Sequence, residues 1–452
     1  MHICHNLHED YEGRLHPDAG QTYANIHELD RDVLVDPNWK TIVLNPSRAA
    51  LLCSDTWATV SRSYKKDLLE ISPLRWLLRL APHPFAHSNG VPVAERLARL
   101  ETLKNTPSDD ERKKNKRALP AATHEAAKAE VQRKYFNLAF PDPQIPLLSF
   151  IGRITAQKGV HLILHSVERI LRENDFAVHI LVGGQIDNTD PYGIHCRDII
   201  GDLRARFPSN FWADTALFFT DGDLVNLATD LGLMPSAFEP GGIVQHEFFV
   251  ASTPVVAFKT GGLKDSVIEW DATARTGCGF VFSNYSSHEF QSAVRRGIAA
   301  FRDRESDAYE TLRRNARAAA MDLSVVGQAW YRELYRIRRC LPPAPRKLVA
   351  KVPVIFSLRA AEAGAARISP TSRVCLAGTF NAWKPSAPLA FVDGEGVFRI
   401  TMELPPGAFQ YKYVIDGVTW VAAPSAPTVD DGAGRLNNLV VVAPQAANEE
   451  DF

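Results

Sequence analysis

The sequence predicts an α/β chain, a parallel sheet with helices on both faces, followed by an all-β sandwich. Two observations carry this. From residue 146 to about 340, short apolar runs alternate with helical stretches, which is how strands buried on both faces read. Beyond P-P-A-P-R at 342–346 the hydrophobic period switches to two, in short runs separated by turn residues, as in a sandwich. The length agrees: 452 residues, at roughly 150 per domain, allow about three domains.

In order, residues 1 to about 100 are mixed. K-T-I-V-L and A-L-L-C-S-D-T-W-A-T-V-S read as short strands with a helix between them. R-K-K-N-K-R at 112–117 reads as a solvated face or hinge insertion; an alanine-rich helical stretch and P-D-P-Q-I-P follow it. P-L-L-S-F-I is then a buried strand and Val160 to Leu171 an amphipathic helix. A-V-H-I-L-V-G-G, A-L-F-F-T, L-G-L-M-P-S and T-P-V-V-A-F continue the alternation. A last helix ends in Q-A-W-Y-R-E-L-Y-R-I and reaches about Cys340. V-P-V-I-F-S-L, R-V-C-L-A-G-T-F, G-V-F-R-I-T-M-E-L, F-Q-Y-K-Y-V-I and N-N-L-V-V-V are the strands of the sandwich. The tail N-E-E-D-F reads as frayed.

Composition narrows the function classes. A net charge of −1 disfavours nucleic acid and an anionic membrane as partners. Six scattered cysteines with no C-x-x-C pair argue against a zinc ribbon or a disulfide framework and for a reducing, intracellular setting. The first twelve residues hold three acids and no basic-then-apolar pattern, so they do not read as a targeting peptide. No stretch approaches the ~20 apolar residues of a membrane helix.

Three places fall at the carboxyl ends of predicted strands, the ligand edge of an open parallel sheet. In F-I-G-R-I-T-A-Q-K-G, Arg153 and Lys158 flank a turn that opens a helix, which suits an anion. In A-F-E-P-G-G-I-V-Q-H-E, Glu239 lies in a turn and can accept hydrogen bonds from sugar hydroxyls. Glu247, read as two turns along the same helix face, can reach a ribose. In A-F-K-T-G-G-L-K-D-S, the Gly261-Gly262 turn precedes a helix beginning at Leu263, and its free amides suit a diphosphate. Lys259 reads as the residue that ends the strand. No paired-aspartate motif calls for a metal.

G-R-I-T-A-Q-K-G, L-M-P-S-A-F-E-P-G-G and K-T-G-G-L-K-D-S-V, in this order, resemble the bacterial glycogen synthase and plant starch synthase family. Upstream, I-C-H-N-L-H-E-D-Y-E-G, A-T-V-S-R-S-Y and S-N-G-V resemble further family stretches, with Pro92 where the family has an aspartate. The likeness covers nearly residues 1–340. It implies a retaining glucosyltransferase of GT-B type, with two Rossmann-like lobes and a cleft between them. Arg153 and Lys158 would hold the diphosphate of a sugar nucleotide and Glu239 would contact the donor glucose. Thr260, Gly261, Gly262, Gly241, Gly242 and Glu247 would line the donor site, and His5 would line the cleft near the transferred glucose. Gly241 stands where the family often has cysteine, which would widen the site. The E-x7-E spacing of Glu239 and Glu247 is more like related glycosyltransferase families than starch synthases.

V-C-L-A-G-T-F-N-A-W-K, F-Q-Y-K-Y-V-I-D-G and R-L-N-N-L-V-V-V resemble the glycogen-binding domain of the AMP-activated kinase β subunit, an immunoglobulin-like sandwich. Parity puts Phe409, Tyr411, Tyr413 and Ile415 on the core face and Lys412 on the solvent face. By resemblance Trp383, Lys412, Trp420 and Asn437 would form a sugar platform, rings against the C–H face of glucose and polar groups on its hydroxyls. Ala433-Gly434-Arg435 replaces the Leu-x-Thr of the family's last loop, which would weaken the grip.

These readings place a remnant of the acceptor-side Rossmann-like lobe at 1–122; the family's amino-terminal K-x-G-G-L donor loop would either lie before Met1 in a longer chain or be lost. The nucleotide-sugar lobe with its closing helix takes 123–340, a linker 341–350, the glucan-binding module 351–444 and a tail 445–452. The implied activity is transfer of glucose from ADP-glucose to the non-reducing end of an α-1,4-glucan, with retention and without metal or other cofactor. The alternative is a glucan-binding scaffold or regulator that does not turn over. The partners are a sugar nucleotide and an α-glucan polymer, starch or glycogen. The setting is a plastid in a starch-making alga or plant, otherwise the cytoplasm.

Overall fold

A computed structural model describes residues 1–8, 13–16, 31–36, 42–105, 124–216, 219, 221–303, 306–340, 351–363, 368–430 and 435–443. The basic run 112–117, the linker 341–350, the tail and most of A-L-F-F-T lie outside these residues. The chain divides into two compact units. One takes Met1–Ala58, Lys66–Phe85 and Arg336–Phe452; the other takes Thr59–Lys65 and Ala86–Tyr335. The second unit therefore begins well before residue 123 and includes the T-V-S-R-S-Y segment.

The second unit holds a six-stranded parallel sheet. To number its strands in chain order, β1 (His2–Cys4), β2 (Trp57–Thr59) and β3 (Phe85–Ala86) form a small amino-terminal sheet. The large sheet consists of β4 (Leu147–Ile151), β5 (His179–Gly183), β6 (Phe211–Asp214), β7 (Leu231–Met234), β8 (Val255–Phe258) and β9 (Gly279–Phe282). Its spatial order is β6-β5-β4-β7-β8-β9. Counted from β4 this is the 3-2-1-4-5-6 order of a dinucleotide-binding fold, whose order reverses between β4 and β7. Strands β4, β5 and β7 are buried on both faces, as their unbroken apolar runs require.

Helices cover the sheet on both sides. Leu148, Val182, Leu233 and Phe280 pack with Val160, Ile163, Ile200 and Phe290 from one set. Leu147 and Leu181 pack with Val131, Tyr135, Val225 and Ala228 from the other. The helix expected at 160–171 is two, Val160–Leu164 and Val167–Glu173; between them the Ser166 hydroxyl donates back to the Leu162 carbonyl at 2.6 Å, a bond that bends helices. The apolar run Ala50-Leu51-Leu52 ends a helix, Pro46–Leu52, rather than opening a strand. Asn45 caps it by accepting from Arg48 N, and Pro46 sits at its first turn, where its missing N–H costs nothing. Of K-T-I-V-L the structure describes residues 42–44, where Leu44 forms isolated bridges to Leu15 and Val35.

In the first unit the carboxyl-terminal residues form two antiparallel sheets. One contains β10 (Val352–Arg359), β14 (Val397–Leu404) and β13 (Ala390–Val392). The other contains β12 (Ala387–Pro388), β11 (Val374–Gly378), β15 (Gly407–Ile415), β18 (Leu436–Val442) and β17 (Thr428–Asp430), with β16 (Thr419–Val421) on β15. Phe356, Leu358, Leu376 and Phe398 fill the core with Phe409, Tyr411, Tyr413 and Ile415, the four residues parity assigns to it. Among the described residues no helix is long and apolar enough to cross a membrane.

Candidate functional site

The loops after β4 and β7 meet at the switch point of the parallel sheet. After β4 the chain turns through Gly152 and Arg153 into the short turn Ala156–Lys158, closed by Gly159 at φ +66°. A Cβ on Gly159 would stand 2.1 Å from the Pro235 carbonyl oxygen and 2.2 Å from Tyr285 Oη, so only glycine lets the two loops lie this close. Ala237 N donates to the Gln157 carbonyl at 2.9 Å and Gln157 Nε2 to the Phe238 carbonyl at 3.0 Å.

This lacing brings Lys158 to Glu239. The ammonium donates to Glu239 Oε2 at 2.5 Å, and Ser236 Oγ donates to the same oxygen at 3.0 Å. Both bonds fall on Oε2, which leaves Oε1 of a 7% exposed residue to accept from a ligand hydroxyl. Lys158 has three N–H donors, so two remain beyond the pair. Arg153 is exposed and, among the described residues, has no ion pair; its guanidinium is available to an anion.

The third loop follows β8. The helix starts at Gly261 rather than Leu263, running Gly261–Ser266 with Thr260 as extended cap. Gly261 has φ +42°, and a Cβ there would meet the Glu239 carbonyl oxygen at 2.1 Å; one on Gly262 would meet the Gly241 carbonyl oxygen at 2.4 Å. The glycine pair thus packs backbone on backbone against the Glu239 loop. The expected row of free amides is shorter than anticipated, because Gly262 N donates to the Glu239 carbonyl at 2.8 Å and Thr260 N to the Phe258 carbonyl at 2.9 Å. Gly261 N and Leu263 N have no acceptor among the described residues. Lys259 is exposed and continues the strand through a bond to the Phe282 carbonyl.

Two expectations change. Gly241 does not widen the site: a Cβ there would lie 2.5 Å from Asn89 Nδ2 and 2.8 Å from Val60 Cγ2, so neighbouring side chains fill the space. Glu247 does not share a helix face with Glu239. Gly242 at φ +64° delays the helix to Val244–Val250, leaving Glu239 in the loop and Glu247 in the first turn. The Glu247 carboxylate is ion-paired with Arg96, which also lies 3.9 Å from Asp223. Burial pushes the Glu247 carboxyl above the usual range against the pull of Arg96. His5 is exposed just after β1, in the first unit, and takes its role only from the resemblance. No group of three or more His, Cys, Asp or Glu that could hold a metal occurs among the described residues.

In the sandwich, directly opposed residues of antiparallel strands share a face. Val414 opposes Trp420, so Trp420 lies on the face of Lys412 and Gln410, away from the core. Asn437 joins them by donating to Gln410 Oε1 at 2.8 Å; it is only 5% exposed, so it offers the sugar face little more than its other polar atom. Gln410, which orients Asn437, was readable from parity with Lys412. Trp383 stands with its ring centroid 6.4 Å from that of Trp420, tilted by 40°. Ala382 and Trp383 both have left-handed backbone, at φ +53° and +57°. Non-glycine residues adopt this only when held: Trp383 N donates to the Gly378 carbonyl, and Asn381 bridges Gly378 N and the Leu376 carbonyl.

Comparison with known proteins agrees with this fold. Residues 145–299 match the family described as glycosyl transferases group 1. Residues 369–448 match the glycogen recognition site of AMP-activated protein kinase. A glycogen synthase of Lactobacillus acidophilus is 28% identical over 67% of this chain and 60% of its own length. Glycogen synthase 2 of Geobacter sulfurreducens is 28% identical over 58% of this chain and 51% of its own. The chain thus spans between half and two thirds of these relatives. The catalytic domain of starch synthase IV from Arabidopsis thaliana, bound to ADP and acarbose, superposes with a TM-score of 0.58 at 21% identity, over 74% of this chain and 66% of that one, and so shares the fold. The chain therefore has the GT-B fold and is similar in sequence to glycogen synthases, and its carboxyl-terminal segment matches the glycogen recognition site of AMP-activated protein kinase.

Proposed function

We propose that this chain is an α-1,4-glucan synthase, transferring glucose from a sugar nucleotide, ADP-glucose, to the non-reducing end of a starch or glycogen chain. The observation that carries the reading is the meeting of Lys158 and Glu239 at the switch point, with Arg153 and the Gly261 and Leu263 amides on the same sheet edge. Breaking the bond between the anomeric carbon and the diphosphate leaves negative charge on the phosphate oxygens and an oxocarbenium-like sugar. Fixed cations and amides aimed at the leaving group stabilise that charge. Glu239, held on one oxygen, keeps the other for the glucose hydroxyls. The acceptor hydroxyl attacks on the face the diphosphate leaves, and a leaving phosphate oxygen takes its proton, so configuration is retained. The site needs no metal in this reading. Trp383 and Trp420 hold the glucan, and tethering raises the local concentration of chain ends.

The test is transfer of labelled glucose from ADP-glucose or UDP-glucose to glycogen. Glu239→Gln loses transfer and keeps glucan binding, while Trp383→Ala mainly weakens glucan retention. If the wild-type chain retains glycogen yet transfers nothing from either donor, it is a glucan-binding scaffold. If neither variant alters transfer, the site is misassigned.

A further inference from the structure

Four consecutive carbonyls of the Glu239 loop each accept a hydrogen bond from a different segment. Phe238 accepts from Gln157 Nε2 at 3.0 Å, Glu239 from Gly262 N at 2.8 Å, Pro240 from Ser61 Oγ at 2.5 Å and Gly241 from Gln245 Nε2 at 3.2 Å. The Ser61 donor comes from Thr59–Lys65, whose flanking residues on both sides belong to the other unit. The functional reading assigns this segment nothing.

We propose that Thr59–Lys65 is a positioning element for Glu239, with Ser61 and Ser63 as its positioning residues. Ser61 is 1% exposed; its hydroxyl donates to Pro240 and accepts from Tyr64 N at 3.1 Å, so it is satisfied in both directions. Tyr64, 1% exposed, sets its ring edge-on to that of Phe238, centroids 5.4 Å apart. Val60 closes against Gly241. Ser63 takes hold of the helix behind the loop: its N and Oγ donate to Asp265 Oδ2 and Oδ1 at 2.9 and 2.5 Å. That helix, Gly261–Ser266, supplies the Gly262 amide that holds the Glu239 carbonyl. The segment therefore grips the loop directly through Ser61 and its backing through Ser63. Removing the Ser61 hydroxyl takes the donor from the buried Pro240 carbonyl, and the loop must shift to satisfy it. A shift of the order of 1 Å moves Glu239 away from its place beside Lys158 and the donor glucose.

The inference rests on the reading of Glu239 as the donor-glucose contact. The experiment uses the full chain and the variants Ser61→Ala, Ser61→Thr, Ser63→Ala and Glu239→Gln. It measures kcat and donor KM with glycogen as acceptor, melting temperature, and hydrogen exchange across residues 236–242 and 260–264. Ser61→Ala lowers kcat by roughly ten- to a hundred-fold, the cost of a misplacement near 1 Å. Donor KM stays near wild type and exchange at the Gly262 amide accelerates. Ser61→Thr, which keeps the hydroxyl, recovers most of kcat, and Ser63→Ala has a smaller effect in the same direction. If Ser61→Ala keeps wild-type kcat and exchange while Glu239→Gln loses transfer, the positioning role is wrong and the site stands. If the wild-type chain transfers nothing, the functional reading fails. Exchange then decides the positioning role alone: faster exchange in Ser61→Ala upholds it, unchanged exchange overturns it.

Discussion

In the proposed site the charge of Lys158 is shared between the donor phosphates and Glu239, which lies at 2.5 Å. The two side chains are 18% and 9% exposed, so solvent screens the pair little. At an effective dielectric near 20, the Coulomb attraction at this separation is roughly 7 kcal/mol. Desolvation offsets most of it, leaving a coupling of about 0.5–3 kcal/mol, as for residues in one salt-bridge network. A nucleotide diphosphate must compete with Glu239 for that field. Glu239→Gln removes the competitor and should tighten ADP binding by about ten-fold, the equivalent of about 1.4 kcal/mol, while transfer is lost. Lys158→Met should weaken ADP binding. In the Lys158→Met background, Glu239→Gln should tighten ADP binding much less, because only the direct repulsion between carboxylate and phosphates is then relieved. Titration calorimetry of the four proteins with ADP, and in parallel with UDP, closes the cycle. Additive effects, or a Glu239→Gln variant that binds ADP as weakly as Lys158→Met, refute the idea that one ammonium serves both groups.

In the sandwich, Trp383→Ala and Trp420→Ala should each weaken maltoheptaose binding by about 1–2 kcal/mol, the loss of one stacked ring, with ADP binding unchanged; equal affinity in titration would remove that ring from the platform. Gly261→Ala should destabilise the second unit by about 2 kcal/mol or more, because its Cβ would lie 2.1 Å from the Glu239 carbonyl oxygen at φ +42°; a thermal melt matching wild type would contradict the close approach. Burial pushes both His179 and His246 from the ordinary 6.5 down to about 4. Between these values the unfolded chain binds the protons and the folded chain does not, so stability falls as pH falls from 6.5 towards 4, by roughly 3 kcal/mol for each residue. His246→Asn keeps an acceptor for the Met321 amide, which donates to His246 Nδ1 at 3.3 Å, and should flatten that dependence; denaturant melts across this range that keep the full slope would count against it.

The strands were legible where the apolar run was long enough to leave one period, as in L-L-S-F-I, F-Q-Y-K-Y-V-I and N-N-L-V-V-V. β6 was not, because Phe211–Asp214 is only four residues with an alternating burial pattern, and a more apolar run, A-L-F-F-T, stands just after it. In the helix Pro46–Leu52 the run A-A-L-L fits both periods, and the Asn-Pro cap before it is the signal that decides. The core face of β15 was legible because parity fixes which side chains leave the core; the sugar-binding role of Trp383, Lys412, Trp420 and Asn437 comes from the resemblance alone. Glu247 was misplaced by spacing alone. Counting eight residues assumes a helix throughout, and the left-handed Gly242 withholds it until Val244. Ser61 was out of reach, since its partner Pro240 lies 179 positions away and no local pattern carries such a contact.

The glycine pair has a cause in the chain's own packing that the motif does not reveal. K-T-G-G-L sits where a phosphate turn belongs, and two small residues there invite the argument that a ligand must come close. Yet the atoms that a side chain would strike are the chain's own, the carbonyl oxygens of Glu239 and Gly241. The glycines are required by the packing of one loop on another, whether or not a phosphate is bound. Their presence therefore says that Glu239 is held from behind, and the case for a phosphate rests on other atoms: the amides of Gly261 and Leu263, and the charges of Arg153 and Lys158. A side chain at Gly261 would then act first through Glu239. Transfer would fail by a fall in kcat before ADP affinity is lost, whereas a turn that served the phosphate alone would lose both together.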